Sequence, residues 1–125
     1  MNEFNTTKPI YLQMADRIHR QIVSNELRTG EKLPSVREMA LTYSVNPNTI
    51  QRTYSELERE GIVETKRGQG TFVTEQEDRL VQLRERLKQE QILMFVQVMQ
   101  EMGYRSDEII SGLQEHLNMI EKGDE

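Results

Sequence analysis

The residues best suited to specific recognition lie close together, between positions 46 and 52. Asparagine and glutamine amides can form paired hydrogen bonds with adenine edges, arginine pairs with guanine, and threonine reaches phosphates or the thymine methyl group. A helical stripe through Ile50, Tyr54 and Leu57 would face the core and turn the polar side chains of this segment outward. An ordinary solvent-exposed helix face carries the same residue types. The position of this helix in the fold must therefore decide between a recognition surface and an ordinary exposed face. The candidate contact residues are Asn46, Asn48, Thr49, Gln51 and Arg52.

Two further basic features could contact nucleic acid. Arg37 has no acidic residue three or four positions away, so a local ion pair along its helix is not available and a phosphate contact is favoured. Lys66 and Arg67 are followed by Gly68 and Gly70, and glycines let the backbone approach a phosphate or enter a minor groove. The same loop is equally compatible with ordinary turn chemistry.

The elements that would position these side chains are helices with clear starts and stops. Pro9 suits the first turn of a helix that ends near Asn25. Ser35 and Glu38 match a capping box, which begins a second helix ending around Tyr43. The inward positions of these two helices are Tyr11, Ala15, Ile18, Ile22, Val36, Met39 and Ala40.

A third helix and a hairpin complete the first part of the chain. Asn46 as N-cap and Pro47 as first residue open the helix, and Gly61 ends it. The short connection between the second and third helices is that of a helix-turn-helix. Residues 62–65 and 71–73 are rich in β-branched types around a glycine-containing loop, which predicts a hairpin. The prediction is a winged helix-turn-helix DNA-binding domain over residues 8–74.

The remaining segment, residues 75–125, has a different composition. It carries six Lys and Arg against twelve Asp and Glu, whereas residues 1–74 carry ten against nine. It predicts two helices, ending at Gly103 and before Gly123, whose apolar faces are too wide to be buried by each other. A second copy of the chain is the simplest partner that would bury these faces, so we predict that this segment mediates dimerisation. The binding of an unidentified small-molecule effector is left open. The candidate dimerisation residues are Leu80, Leu83, Leu87, Phe95, Val98, Met102, Leu113 and Leu117.

The chain lacks the residues that catalysis or cofactor binding would require. The 125-residue chain has no cysteine, and its two histidines, His19 and His116, lie on different predicted helices without ligand-spaced partners. We expect His19 on an ordinary helix face. There is no phosphate-binding loop or dinucleotide fingerprint. We therefore expect neither an enzyme nor a metal or cofactor site.

Membrane association is not expected either. No run of about 18 apolar residues is present, and the N-terminus does not have the pattern of a secretory signal. We expect a cytoplasmic protein with a mostly α fold and a small β-hairpin.

Residues 9–73 resemble the N-terminal domain of the GntR family of bacterial transcription regulators. The resemblance rests on Pro9-Ile10-Tyr11, residues 30–40, residues 45–50, Leu57-Glu58-Arg59-Glu60-Gly61 and residues 67–73. The Asn46-Pro47-Asn48-Thr49 segment and the short C-terminal part are similar to the YtrA subfamily. Many family members have arginine at the position of Pro47 or Gln51, so the bases of a half-site cannot be carried over.

The resemblance implies a homodimer, built by the C-terminal helices, that binds a palindromic DNA operator and usually represses transcription. It also implies DNA contacts from the matching positions Arg37, Asn46, Asn48, Thr49, Gln51, Arg67 and Gly68. The alternative is a winged-helix module that binds another protein and has no operator. The acidic C-terminal segment, with a net charge of −6, and the nearly neutral first part of the chain keep that alternative open.

Overall fold

The computed structural model describes residues 7–123. In this range the chain forms five helices and one hairpin, in the predicted order. The elements are α1 (Ile10–Val23), α2 (Val36–Tyr43), α3 (Pro47–Arg59), β1 (Val63–Lys66), β2 (Gly70–Val73), α4 (Glu77–Glu101) and α5 (Ser106–Gly123). The prediction of a mostly α fold with a small β-hairpin is confirmed.

The helix boundaries follow the predicted capping signals closely. The Ser35 hydroxyl accepts a hydrogen bond from the Glu38 backbone N–H at 3.1 Å, and the Glu38 carboxylate accepts one from the Ser35 N–H at 2.9 Å. Pro9 is the N-cap of α1 rather than its first helical residue. The same helix ends at Val23, earlier than predicted, because Asn25 has a left-handed backbone with φ of 67°.

The core of the winged helix lies where α1 and α2 pack against α3. Ile50, Tyr54 and Leu57 of α3 are buried as predicted. Three buried polar residues, His19, Thr53 and Thr74, were not predicted, and Tyr11 is only half-buried. The fully buried apolar side chains are Met14, Ile18, Leu33, Ile50, Leu57, Val63 and Val73.

The hairpin is antiparallel and has a third, very short pairing partner. Val63 pairs with Val73, and Lys66 pairs with Gly70. The extended segment before α2 joins the outer side of β2 through a bridge between Lys32 and Phe72. Lys66 and Gly70 are therefore the last paired residues of the strands, and only residues 67–69 form the tip.

The chain divides into two compact units, the first ending at Arg84 and the second beginning at Glu85. The start of α4 belongs to the first unit, because Leu83 is buried there and the Arg84 guanidinium donates to the carbonyl oxygen of Val23 at 2.6 Å. The assignment of DNA binding to residues 8–74 and of dimerisation to residues 75–125 does not follow from these units and stays a prediction. Residues 124 and 125 of the second segment lie outside the described range.

Candidate nucleic-acid interface

The start of α3 presents amide side chains to solvent. The Asn46 side-chain oxygen accepts a hydrogen bond from the Asn48 backbone N–H at 2.7 Å, so this oxygen caps the helix while the rest of the amide stays exposed. Asn48 and Gln51 are exposed, and within residues 7–123 their side chains form no hydrogen bond with the chain. Neither amide would have to break an internal bond in order to bind a ligand.

Arg52 is exposed, but its guanidinium contacts Tyr11. Its guanidinium carbon lies 3.9 Å from the centre of the Tyr11 ring, and one terminal nitrogen donates to the Tyr11 hydroxyl at 3.3 Å. Asn48, Thr49 and Arg52 line one open cleft of about 390 Å³ together with the first two residues of α1. The structure thus brings three predicted contact residues together and adds Tyr11, which the sequence pattern assigned to the core stripe of α1.

Arg37 lies in the first turn of α2 and is exposed. No carboxylate in the part of the chain that the structure describes forms an ion pair with it. This agrees with the sequence pattern, which offered Arg37 no acidic neighbour on its own helix. Its guanidinium is therefore available to an external anion.

The hairpin and the segment before α2 enclose a second cleft, of about 350 Å³. The Lys66 ammonium lies 4.7 Å from the centre of the Phe72 ring, beside this cleft. Lys32 also lines it, and its Cε atom would be 2.7 Å from a Cβ atom at Gly70. Lys32 was not among the residues predicted to contact DNA. Its place in the extended segment directly before Leu33 was the only available signal.

The tip of the hairpin combines one cation with an open backbone. Arg67 is exposed, and Gly68 has a φ of 77° with no heavy atom within 4 Å of the position of a Cβ atom. Gly70 has a φ of 124°. Both glycines are therefore required by backbone conformation, and Gly68 in addition leaves free space around the tip.

Two hydrogen bonds fix α3 in the unit. The Tyr54 hydroxyl donates to the carbonyl oxygen of Pro34 at 2.6 Å, and burial raises the pKa of this phenol. The Thr53 hydroxyl is fully buried and is shared between two acceptors, the carbonyl oxygen of Thr49 in its own helix at 2.9 Å and that of Tyr11 in α1 at 3.1 Å. These contacts hold α3 against both α1 and the segment that leads into α2.

His19 lies on the buried face of α1, and the sequence had not predicted its burial. Its side chain is buried, and its Nε2 lies 2.8 Å from a carboxylate oxygen of Glu60. Its Nδ1 has no hydrogen-bond partner within the described residues. The contact between His19 and Glu60 joins α1 to the end of α3. No group of three or more potential metal-ligating side chains occurs among the described residues.

Residues 10–73 match the profile of the bacterial regulatory proteins of the gntR family. The chain belongs to the GntR family. It is 54% identical over 112 residues to YhcF of Bacillus subtilis (strain 168), an uncharacterized HTH-type transcriptional regulator, covering 90% of this chain and 93% of YhcF. It is 41% identical over 90 residues to the HTH-type transcriptional repressor YtrA of the same organism, covering 67% of this chain and 69% of YtrA.

A solved structure shows the same fold over nearly the whole length. The structure of a GntR family transcriptional regulator from Listeria monocytogenes is similar with a TM-score of 0.84 and 39% sequence identity. The match covers 90% of this chain and 98% of that protein. The resemblance inferred from the motifs is therefore confirmed. The chain is a DNA-binding transcriptional regulator, and its family is not a family of enzymes.

The predicted dimerisation residues of this GntR-family regulator differ in exposure. Leu80 and Leu87 are half-buried. Leu83 is only 2% exposed and is a core residue of the first unit, so its position does not support a role at a dimer contact. The exposed members of the set are Phe95, Val98, Met102, Leu113 and Leu117.

None of the helices that residues 7–123 of this regulator form is both long enough and apolar enough to cross a lipid bilayer.

Proposed function

We propose that this GntR-family regulator binds a palindromic operator as a homodimer and represses transcription. Residues 8–74 form the DNA-binding domain in this proposal, and residues 75–125 form the dimerisation segment. The observation that carries it is the exposed start of α3, where the side chains of Asn48 and Gln51 form no hydrogen bond within the described chain. Amide side chains without internal hydrogen bonds, at the N-terminal end of a recognition helix, are suited to bind base edges in a major groove.

The proposed contacts fall into two groups. Asn48, Thr49 and Gln51 contact base edges, and the exposed amide group of Asn46 lies beside them. The other group binds the DNA backbone or the minor groove, because its members are cations or glycines with an accessible backbone. It consists of Arg37, Arg52, Lys66, Arg67, Gly68 and Gly70.

The homodimer is supported by apolar side chains that the second unit leaves exposed. Phe95 is 42% exposed, Val98 54% and Met102 59%. Exposed apolar side chains in this number mark an interface. A two-fold symmetric dimer would present one recognition helix to each half-site of a palindrome, about one helical turn of DNA apart or a multiple of it.

Repression and location follow from the same proposal. The relative YtrA is a repressor, and a dimer on an operator blocks access to the DNA it covers. A protein that binds chromosomal DNA in a bacterium acts in the cytoplasm. Binding of an effector stays a separate prediction, and about fifty residues leave little room within the dimerisation segment for the ~300–1,000 Å³ pocket of a typical ligand site.

The test is equilibrium binding of the full chain to a duplex from its own promoter and to a scrambled duplex of equal length. Neutralised phosphates release counterions, so we expect affinity to fall steeply as salt rises from about 50 to 200 mM. We also expect the promoter duplex to bind more tightly than the scrambled one at every salt concentration. Failure to bind any duplex from the locus at low salt would reject the proposal, and salt-insensitive capture of a protein would support the interaction-module alternative.

A further inference from the structure

The guanidinium of Arg52 is held by an aromatic ring from another helix. Its central carbon lies 3.9 Å from the centre of the Tyr11 ring, which is within the range of a cation–π contact. One terminal nitrogen donates to the Tyr11 hydroxyl at 3.3 Å. The ring and the hydroxyl together restrict the rotation of a long side chain that would otherwise sample many conformers in solvent.

Tyr11 is itself fixed to the recognition helix. Its carbonyl oxygen lies 3.1 Å from the fully buried hydroxyl of Thr53, which it shares as acceptor with the carbonyl oxygen of Thr49 at 2.9 Å. Thr53 follows Arg52 directly, so two consecutive residues of α3 contact the same tyrosine, one through its backbone and one through its ring. The position of the Arg52 guanidinium is therefore determined by the packing of α1 on α3.

The held guanidinium keeps most of its binding capacity. A guanidinium has five N–H donors, and Tyr11 uses one of them. No carboxylate in the described range forms an ion pair with Arg52. The side chain lines the open cleft next to Asn48 and Thr49, so a cation held in a defined orientation lies beside the proposed base-contacting residues.

We propose that Tyr11 is a positioning residue for DNA binding, which orients Arg52 to bind a backbone phosphate of the operator. This rests on the operator interface proposed above. Arg52 lies one helical turn beyond Asn48, whereas base edges are contacted mainly by the first residues of a recognition helix. A ring stacked on the guanidinium plane leaves the N–H edge free, and that edge is the part that binds phosphate oxygens.

The test is a double-mutant cycle in the full chain, with binding measured on the promoter duplex and on its scrambled control. Arg52→Ala should weaken binding to both duplexes about tenfold and reduce the salt slope by about one, as expected for a lost phosphate contact. Tyr11→Leu should weaken binding about threefold, because Arg52 must then lose side-chain entropy on contact. In the Arg52→Ala background the Tyr11→Leu change should have no further effect.

Conservative variants and a second arginine–tyrosine pair provide the controls. Tyr11→Phe keeps the ring and should stay within about twofold of the wild type. Arg17 lies 5.0 Å from the centre of the Tyr43 ring, and this pair does not involve α3. Tyr43→Leu should therefore leave both the salt slope and the coupling to Arg52 unchanged. Thermal unfolding of each variant establishes that the unit remains folded.

Three outcomes would overturn the inference. Tyr11→Leu could weaken binding equally with and without Arg52, which would make it a purely structural residue. Arg52→Ala could leave the salt slope unchanged, or it could alter the ratio between promoter and scrambled duplex, which would exclude the phosphate role. Each of these outcomes requires a wild-type chain that binds DNA, so they are distinguishable from a failure of the proposed function.

Discussion

Asn48, Gln51 and Arg37 share one property at the scale of single residues: each is exposed and makes no side-chain contact with the described chain that DNA binding would have to break. They differ in chemistry. An amide can distinguish between bases through two hydrogen bonds, whereas a guanidinium on the first turn of α2 is suited to a phosphate, which is the same in every sequence.

We therefore expect the variants of these residues to fall into two classes. Asn48→Ala or Gln51→Ala should reduce the preference for the promoter duplex over a scrambled one by about 1–3 kcal/mol per lost base contact. Arg37→Ala should weaken binding to both duplexes about equally and reduce the salt slope by about one. Gel-shift titrations on both duplexes measure these effects, with Ser55→Ala as an exposed control on α3. Identical behaviour of all three variants would refute the assignment.

The buried pair of His19 and Glu60 gives a stability prediction. Glu60 supplies the hydrogen-bond partner of a side chain that is otherwise enclosed. Glu60→Ala should lower the free energy of unfolding by about 1–3 kcal/mol, because a buried polar atom loses its partner. Glu60→Gln keeps a side-chain oxygen and should cost less, and Glu58→Ala at an exposed neighbouring position should be nearly neutral. Urea denaturation measures all three, and equal losses would contradict the prediction.

At the scale of elements, the capping box of α2 determines where the helix that carries Arg37 begins. The backbone N–H of Ser35 and then its hydroxyl lower the pKa of the Glu38 carboxyl below the ordinary value of 4.5. A carboxyl whose pKa is lowered by folding stabilises the native state above its unfolded pKa. This contribution is lost as the pH falls through the lower, folded value.

Two variants test the capping box. Ser35→Ala should lower the free energy of unfolding by about 1 kcal/mol, the usual cost of a lost N-cap. Glu38→Gln should be less stable than the wild type at pH 7, and this difference should shrink as the pH falls from about 4.5, where the unfolded carboxyl is half protonated, through the lower pKa of the folded state. Thermal unfolding of the variant and the wild type between pH 7 and about pH 3 measures this difference in stability. A difference that is constant across this range would show that the charge of Glu38 has no role.

At the scale of the whole molecule, exposure separates the predicted dimerisation residues into two kinds. Val98 is 54% exposed on the second unit, whereas Leu83 is 2% exposed in the first. Substitution at these positions should therefore have different consequences, although both are apolar residues of α4.

We expect Val98→Glu to convert a dimer into a folded monomer of 14.7 kDa, because a charge at an apolar interface lacks a partner. Leu83→Ala should instead lower the stability of the first unit by about 2–5 kcal/mol. Leu41→Glu is the matched control, since Leu41 is 75% exposed on α2 and should tolerate the charge as a dimer. Sedimentation at micromolar concentration measures the mass, and a wild-type monomer would refute the dimer.

Local sequence patterns predicted the secondary-structure elements and the exposure of the proposed contact residues on α3. Ser35 with Glu38, Asn46 with Pro47, and the apolar spacing through Leu57 all act within a few residues of one another, so their effect is already present in the local sequence. The same is true of the outward direction of Asn48 and Gln51, which follows from the helical period once the core stripe is known. Family motifs in this region then predicted the class of regulator.

Only the tertiary structure decided which distant residues meet. Tyr11 and Arg52, His19 and Glu60, and Lys32 and Gly70 are each about forty residues apart. Contacts over such separations depend on how helices and strands pack, and no local periodicity encodes them. The burial of Leu83 also depends on how the elements pack. One residue of an amphipathic stripe can face the core of the first unit while the next residues of that stripe face solvent.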